Sequence, residues 1–170
     1  MEAVQVYEPG ATTTSTSDDR LFAELYPSLR RFAAVADVDG DPDDLVQEAV
    51  ARTLRRHPLS ELDNPGAYLR RTMLNLASNR RRGLARFRVA VTRLGRPGEE
   101  ASVEPEYGSD LSDLQRLSPD DRALLFLVAV EDMTYAHAAA FLGISEEAAR
   151  ARASRARRRL RADIEGDVDD

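Results

Sequence analysis

Two helix-start signals separated by a glycine constrain the last third of this chain more than any other feature. Thr134 can cap a first helix, and Gly143 lies where the chain must leave that helix with a positive φ. Ser145 can then cap a second helix, whose first turn places Glu146 and Glu147 at the positive end of its dipole. This order of signals predicts a helix-turn-helix.

Beyond its first turn, the second of these helices is strongly basic and carries no acid until Asp163. Its arginines are Arg150, Arg152, Arg155, Arg157, Arg158, Arg159 and Arg161. Such a helix repels itself unless it meets a polyanion, and the net charge of the whole chain is −6, so the basic helix is a local feature that predicts DNA binding. All 24 basic residues of the chain are arginine, which coding bias in a G+C-rich genome explains as well as phosphate recognition does.

Charge is segregated along the chain. Residues 51–98 are rich in arginine, residues 99–121 are acidic with Arg116 as their one base, and the basic last helix follows. Two basic blocks separated by an acidic segment predict two nucleic-acid-facing surfaces on two modules. The acidic segment is either a solvated spacer or, as a hypothesis, a row of carboxylates that imitates nucleic-acid phosphates.

Apolar residues recur at helical spacing in both blocks, and no segment alternates with period two for long enough to form a strand. Helices are expected from Asp19, from Asp41-Pro42, from Asn64-Pro65 to about Arg82 with an extension toward Leu94, over 111–117, and from Ser118-Pro119. The sequence thus predicts an all-α fold of two small helical modules joined by a flexible acidic linker. The expected divisions are a disordered extension (1–18), a first domain (19–94), a linker (95–110), a helix-turn-helix domain (111–163) and an acidic tail (164–170).

Several classes of function are disfavoured by composition. No run approaches the length of a transmembrane helix, no secretory signal is visible, and a cytoplasmic protein without membrane contact is expected. The chain has no cysteine and two histidines, so neither a disulfide, a metal nor another cofactor is expected. A hydrolase using Asp43, Asp44, Glu48 and His57 lacks a nucleophile–base arrangement and a phosphate-binding glycine loop, so no enzyme is predicted.

Several short segments, in this order, resemble the two conserved blocks of group IV (extracytoplasmic-function, ECF) sigma factors of the sigma-70 family. They are Asp43-Asp44-Leu45-Val46-Gln47-Glu48, Ala67-Tyr68-Leu69-Arg70-Arg71, Asn75-Leu76-Ala77, Leu117-Ser118-Pro119 and the helix-turn-helix. The resemblance covers about residues 19–82 and 111–161. It implies a factor that recruits bacterial core RNA polymerase to promoters, with the first block handling the −10 element and the second the −35 element.

The resemblance also implies partners for named residues. The clamp of the largest polymerase subunits would contact Asp43, Asp44, Leu45, Gln47 and Glu48, and the flap would contact the C-terminal module. The same helix face is equally explained as solvated, with a Glu48–Arg52 pair for support. The linker would leave room for an anti-sigma protein to wedge between the modules.

The resemblance implies contacts to both promoter elements, the melted −10 element and the duplex −35 element. Arg71, Asn75, Asn79 and Arg82 form one polar stripe of the third helix, suited to phosphates and base edges. The −10 contacts implied are Tyr68, Arg70, Arg71, Asn75, Asn79, Arg80 and Arg82, with the loop 57–63 capturing a base; alternatively Tyr68 is core and the arginines a solubilising face. The −35 contacts implied are Arg150 and Arg155 on base edges and Arg152, Arg158 and Arg159 on phosphates.

The sequence departs from the family pattern in three places. The family usually has a tryptophan near Tyr68 and an acid near Asn79, and it often has larger residues where Ala149, Ala151 and Ala153 stand. Small core residues should seat the last helix closer to its neighbours or hold it less firmly. The competing interpretation of the whole chain is a free-standing helix-turn-helix regulator, which explains the last helix but neither the second basic block nor the docking face.

Overall fold

The computed structural model describes the backbone of residues 12–93 and 114–166, and the side chains of 17–90 and 114–161. Six α-helices lie wholly within these residues, which contain no strand. They are α1 (Thr12–Ala36), α2 (Pro42–Leu54), α3 (Pro65–Arg93), α4 (Pro119–Ala129), α5 (Tyr135–Leu142) and α6 (Glu146–Gly166), with a 3₁₀ turn at Leu59–Glu61. None of these helices is long and apolar enough to cross a membrane.

The helices begin where the cap signals place them. Asp41 accepts a hydrogen bond from the Asp43 amide at 2.7 Å, and Ser118 accepts one from the Asp121 amide at 3.1 Å, each with proline at the next position. In the same way, the Asn64 side chain accepts from the amide of Ala67 at 2.9 Å. These caps confirm the predicted starts of α2, α3 and α4.

One boundary differs from the sequence prediction. The helix α1 begins at Thr12, inside the extension expected to be disordered. Within its second turn, the carboxylate of Asp18 accepts from the amides of Leu59 and Ser60 at 3.1 Å and 2.9 Å and ties α1 to the 3₁₀ turn. The end of α3 at Arg93 agrees with the suggested extension. Of the short helix expected over 111–117, residues 114 and 115 are helical, and residues 1–11, the linker 95–110 and the end of the tail lie outside the described residues.

The N-terminal module is a three-helix arrangement around a fully buried core. Leu29 and Phe32 of α1, Leu45 of α2, and Leu69 and Met73 of α3 all lie in this core. Leu45 and its neighbour Val46 are both buried because α2 packs against α1 on one side and α3 on the other.

The C-terminal module contains the helix-turn-helix. Gly143 ends α5 with φ of +69°, a conformation that glycine adopts without the steric penalty of a Cβ. Thr134 caps α5 and Ser145 caps α6, as predicted. Ala149 and Ala153 are fully buried, so their small side chains let α6 lie close to its neighbours, as expected from the sequence.

The two modules pack on each other and share a core, which the sequence did not reveal. Phe32 of α1 makes edge-to-face contacts with Phe126 of α4 and Phe141 of α5, with ring centroids 5.7 Å and 6.3 Å apart. Beside them lies Arg122, which is 3% exposed. Its guanidinium donates to the carbonyl of Ala36 at 2.7 Å and thereby joins α4 to the end of α1.

Candidate functional site

The outer face of α2 carries the acidic residues assigned to polymerase. Asp44 and Gln47 are exposed, and the carboxylate of Asp43 accepts from the Tyr26 hydroxyl at 2.5 Å and from Arg30 at 3.0 Å. The Tyr26 hydrogen bond, helped by the charge of Arg30, lowers the pKa of Asp43 and keeps it ionised. Leu45 is the exception, since its side chain is 0% exposed and packs inward, so it supports this face and does not contact a partner.

Glu48 belongs to a charge network that links three helices. It accepts from Arg52 at 2.7 Å, which confirms the predicted pair, and from Arg80 of α3 at 2.6 Å. The other end of the Arg80 guanidinium donates to Asp37 at 2.8 Å. Partial burial alone would raise the pKa of Glu48, but the hydrogen bond from Arg80 and the charges of both arginines outweigh it and hold that pKa below its usual value.

Arg80, which was assigned to −10 DNA, is paired within the chain. Both ends of its guanidinium bind carboxylates of the same chain, at Asp37 and Glu48. A phosphate would have to displace two close ion pairs to bind there. Arg80 therefore fastens α3 to α2 and to the end of α1.

A basic cleft with a volume of about 490 Å³ lies between the end of α2 and the middle of α3. It brings together the predicted stripe of α3 and the aromatic at its start. The lining residues are Arg52, Thr53, Arg55, Arg56, Tyr68, Arg71, Thr72, Asn75, Leu76 and Asn79. Tyr68 is 36% exposed and meets the ring of His57 edge to face at 6.5 Å, so it is a surface residue of the cleft and not part of the core.

Three arginines of this cleft were not predicted to bind DNA. They are Arg52 in the last turn of α2 and Arg55 and Arg56, which immediately follow that helix. The position of Arg55 and Arg56 immediately before the predicted base-capture loop was the available signal. Arg82, which had been assigned to DNA, donates to Asn79 at 2.7 Å and is absent from the cleft lining.

Part of the predicted −10 surface is occupied by the C-terminal module. Arg70 forms an ion pair of 3.1 Å with Glu131, and the two side chains are 13% and 20% exposed. Arg71 donates to the carbonyl of Phe141, at the end of α5. Arg81 likewise donates to the carbonyl of Leu117. We call this packed arrangement of the two modules the closed form. In the closed form Arg70 is engaged by Glu131 and is not available to DNA.

The recognition helix α6 exposes a face opposite its buried alanines. Ala151, Arg155 and Arg158 lie on that face, and among the described residues these two arginines make no ion pair. Arg159 is also exposed. Three of the five arginines assigned to the −35 element, Arg155, Arg158 and Arg159, are therefore exposed to solvent.

The other two −35 assignments meet partners within the chain. Arg152 donates to Asp121 of α4 at 3.0 Å and lies 3.9 Å from Asp120, so it anchors α6 to α4, and a phosphate would have to displace these carboxylates to bind it. Arg150 is held by Glu146 at 2.6 Å and lies over the ring of Tyr135. Its guanidinium nevertheless remains on the surface.

Comparisons with known proteins agree with this geometry. Residues 114–160 match the family described as Sigma-70, region 4. The ECF RNA polymerase sigma factor EcfG of Rhodopseudomonas palustris (strain TIE-1) is 33% identical over 163 residues, which cover 88% of this chain and 85% of that protein.

A solved structure with the same fold is the sigma factor RpoE in complex with the anti-sigma factor NepR from Bartonella quintana. It has a TM-score of 0.65 and 26% identity, and the match covers 88% of this chain and 98% of the other. The match therefore includes both modules. Together with the extent of the EcfG similarity, it shows that this chain belongs to the family of ECF RNA polymerase sigma factors.

Proposed function

We propose that this chain is a promoter-recognition subunit of bacterial RNA polymerase that docks through α2, contacts DNA with both modules and has no catalytic activity of its own. The observation that carries the proposal is the basic cleft of α3, which opens beside the acidic face of α2. A free-standing regulator has no need of either feature. The place of action is the cytoplasm, where the polymerase works.

The docking contacts are Asp43, Asp44, Gln47 and Glu48. Asp44 and Gln47 are exposed, whereas Asp43 and Glu48 are fixed by hydrogen bonds to other helices. Because the fixed carboxylates lose little freedom on binding, they suit a defined contact with a basic surface. Leu45 acts indirectly by holding α2 against the core.

The cleft is the site for a base of the opened −10 strand. Its volume of about 490 Å³ falls in the range of small-ligand pockets and accommodates a nucleotide. Tyr68 and His57 offer faces for stacking, and the amides of Asn75 and Asn79 offer hydrogen bonds to a base edge. The arginines at the opening attract the phosphates on either side.

The exposed face of α6 is the site for the duplex −35 element. Arg155 and Arg158 extend from this face, and the small side chain of Ala151 lets the helix approach the floor of the major groove. Arg159 lies at its edge, where phosphates pass. Two modules that bind one promoter raise each other's effective concentration, provided that the linker spans the two sites.

Promoter binding requires the modules to separate. Arg70 and Arg71 are engaged by Glu131 and by the carbonyl of Phe141, so the strand cannot occupy those positions while the chain is closed. Polymerase binding would separate the modules and release these arginines. An anti-sigma protein is a further proposed partner, since the similar RpoE is bound to one.

The first test is co-elution of the full chain with bacterial core RNA polymerase on size exclusion. We expect the Asp44→Arg variant to lose co-elution, because the substitution reverses a charge at the centre of the docking face. Glu48→Arg is unsuitable, since it would also break the pairs with Arg80 and Arg52. The matched control is Asp19→Arg, which reverses an exposed charge on α1.

Loss of co-elution in Asp44→Arg with retention in the control would support docking through α2. Equal co-elution of both variants would remove α2 from the interface. If the wild-type chain fails to bind polymerase but binds duplex DNA tightly by itself, the free-standing regulator becomes the correct interpretation.

A further inference from the structure

Tyr135, the first residue of α5, contacts two arginines of the recognition helix. The guanidinium carbon of Arg150 lies 4.9 Å from the centroid of its ring, and Nη1 of Arg157 donates to its hydroxyl at 2.9 Å. The two arginines are seven residues apart, which places them two turns apart on one side of α6. Tyr135 itself is partly buried against the core, whereas Arg150 and Arg157 are exposed. The packed tyrosine therefore holds the two exposed arginine side chains.

Arg150 is held on a second side by Glu146. Its Nε and Nη2 donate to the same carboxylate oxygen at 3.1 Å and 2.6 Å. A guanidinium has five N–H donors in a fixed fork, so both hydrogens of Nη1 and one of Nη2 remain. These remaining donors lie at the end of the fork, which is the edge that binds the two acceptors of guanine.

Prior ordering of a long side chain has a consequence for binding. An arginine that moves freely loses that freedom when it binds, whereas one already held in place loses less, and its affinity is higher for the same contacts. On the outer face of α6, Arg155 and Arg158 have no such support among the described residues. Arg150 and Arg157 are therefore the pre-ordered pair.

We propose that Tyr135 is a positioning residue for −35 recognition, with its ring orienting Arg150 toward a base edge and its hydroxyl orienting Arg157 toward a phosphate. The inference rests on the proposed function, because it requires α6 to bind duplex DNA. It adds Arg157 to the DNA contacts and gives the first helix of the helix-turn-helix a role beyond packing.

The test uses holoenzyme and a duplex selected by wild-type holoenzyme from a random-sequence library. Tyr135→Phe keeps the ring and removes the hydroxyl, so we expect binding about threefold weaker for all sequences, as for one side chain that must be ordered on binding. Tyr135→Leu also removes the ring. We expect it to weaken the selected duplex about tenfold and to relax the same base pair as Arg150→Ala does.

Double variants separate positioning from packing. If the hydroxyl acts through Arg157, Tyr135→Phe will have no further effect in an Arg157→Ala background. It will keep its full effect in an Arg161→Ala background, since Arg161 is exposed on the same helix and does not contact Tyr135. Thermal unfolding of each variant shows whether the module itself has been destabilised.

The outcomes distinguish the two proposals. Additive effects of Tyr135→Phe and Arg157→Ala, or a Tyr135→Leu variant that weakens every duplex equally, would overturn the positioning role. So would wild-type behaviour of both Tyr135 variants while Arg150→Ala and Arg157→Ala still weaken binding. If wild-type holoenzyme selects no duplex sequence at all, both the proposed function and the positioning role are overturned.

Discussion

Glu131→Gln should weaken the closed arrangement of the two modules. Glu131 pairs with Arg70 at 3.1 Å, and both side chains are mostly buried at the inter-module surface. The substitution leaves the guanidinium of Arg70 buried without a counter-charge in the closed form, whereas water solvates it in the open form. Breaking a fully buried pair costs about 3–5 kcal/mol, and the residual exposure and the remaining amide acceptor reduce this to about 2 kcal/mol.

A change of about 2 kcal/mol shifts the ratio of open to closed chain by roughly 30-fold. Where the closed form predominates, the affinity for a ligand of the open form rises by the same factor. We therefore expect the free Glu131→Gln chain to bind single-stranded DNA up to about 30-fold more tightly than the free wild-type chain does, as measured by fluorescence anisotropy. The strand is taken from the −10 region of a promoter selected by wild-type holoenzyme. The chain has no cysteine, so dyes at Ala51→Cys and Ala140→Cys, both exposed, report the separation of the modules directly.

Two controls make this prediction refutable. Glu24→Gln removes an exposed negative charge on α1 that makes no ion pair among the described residues, and it should leave the affinity nearly unchanged. Since we propose that polymerase separates the modules, Glu131→Gln should have little effect in holoenzyme. Unchanged strand affinity and unchanged dye distance in the free Glu131→Gln chain would refute the predicted opening. An equal gain in strand affinity in Glu24→Gln, or in Glu131→Gln holoenzyme, would also refute it.

Two further predictions concern α6. Arg155→Ala should relax base preference at one −35 position, whereas Arg159→Ala should weaken all sequences alike and reduce the salt slope by about one. Identical salt slopes and preferences for the two variants would contradict these roles. Ala153→Val should lower the free energy of urea unfolding by about 1–3 kcal/mol, because Ala153 is 0% exposed and two added methyl groups overpack the core. Ala151→Val is the exposed control, and an equal loss there would contradict a packing effect.

Most of the features that the sequence predicted correctly depend on interactions between residues close together in the chain. Caps act within a few residues, so Asp41, Ser118 and Thr134 mark their helices without knowledge of the fold. Residues four apart on one helix share a face, so Arg71, Asn75 and Asn79 had to converge on one side of α3. The predicted stripe of the cleft follows from helix geometry alone.

Ion pairs between distant parts of the chain could not be predicted from local sequence patterns. An arginine that binds a carboxylate of its own chain has the same spacing as one that binds a phosphate, so nothing in the sequence separated Arg80 from Arg71. The pairing of Arg152 was missed for the same reason, because its partners Asp120 and Asp121 lie on another helix. Glu48, one partner of Arg80, was interpreted as a polymerase contact.

The inter-module surface is well packed yet incompletely hydrogen-bonded. Arg122 is a buried cation whose described guanidinium contacts are backbone carbonyls, and burial together with the charge of Arg81 lowers its pKa. Among the described residues, the buried side-chain polar atoms without a partner are Nε of Arg122 and Nε of Arg70. Both atoms belong to arginines that join the modules.

Each such unsatisfied donor costs about 1–3 kcal/mol in the closed form, and water satisfies it once the modules part. The aromatic contacts of Phe32 with Phe126 and Phe141 act in the opposite direction, since separation exposes these rings. Closure thus rests on a balance of apolar burial against poorly solvated cations. We infer that this balance keeps the closed form within reach of opening by polymerase, because Arg71 gains a better partner when a phosphate of the opened strand replaces the carbonyl of Phe141.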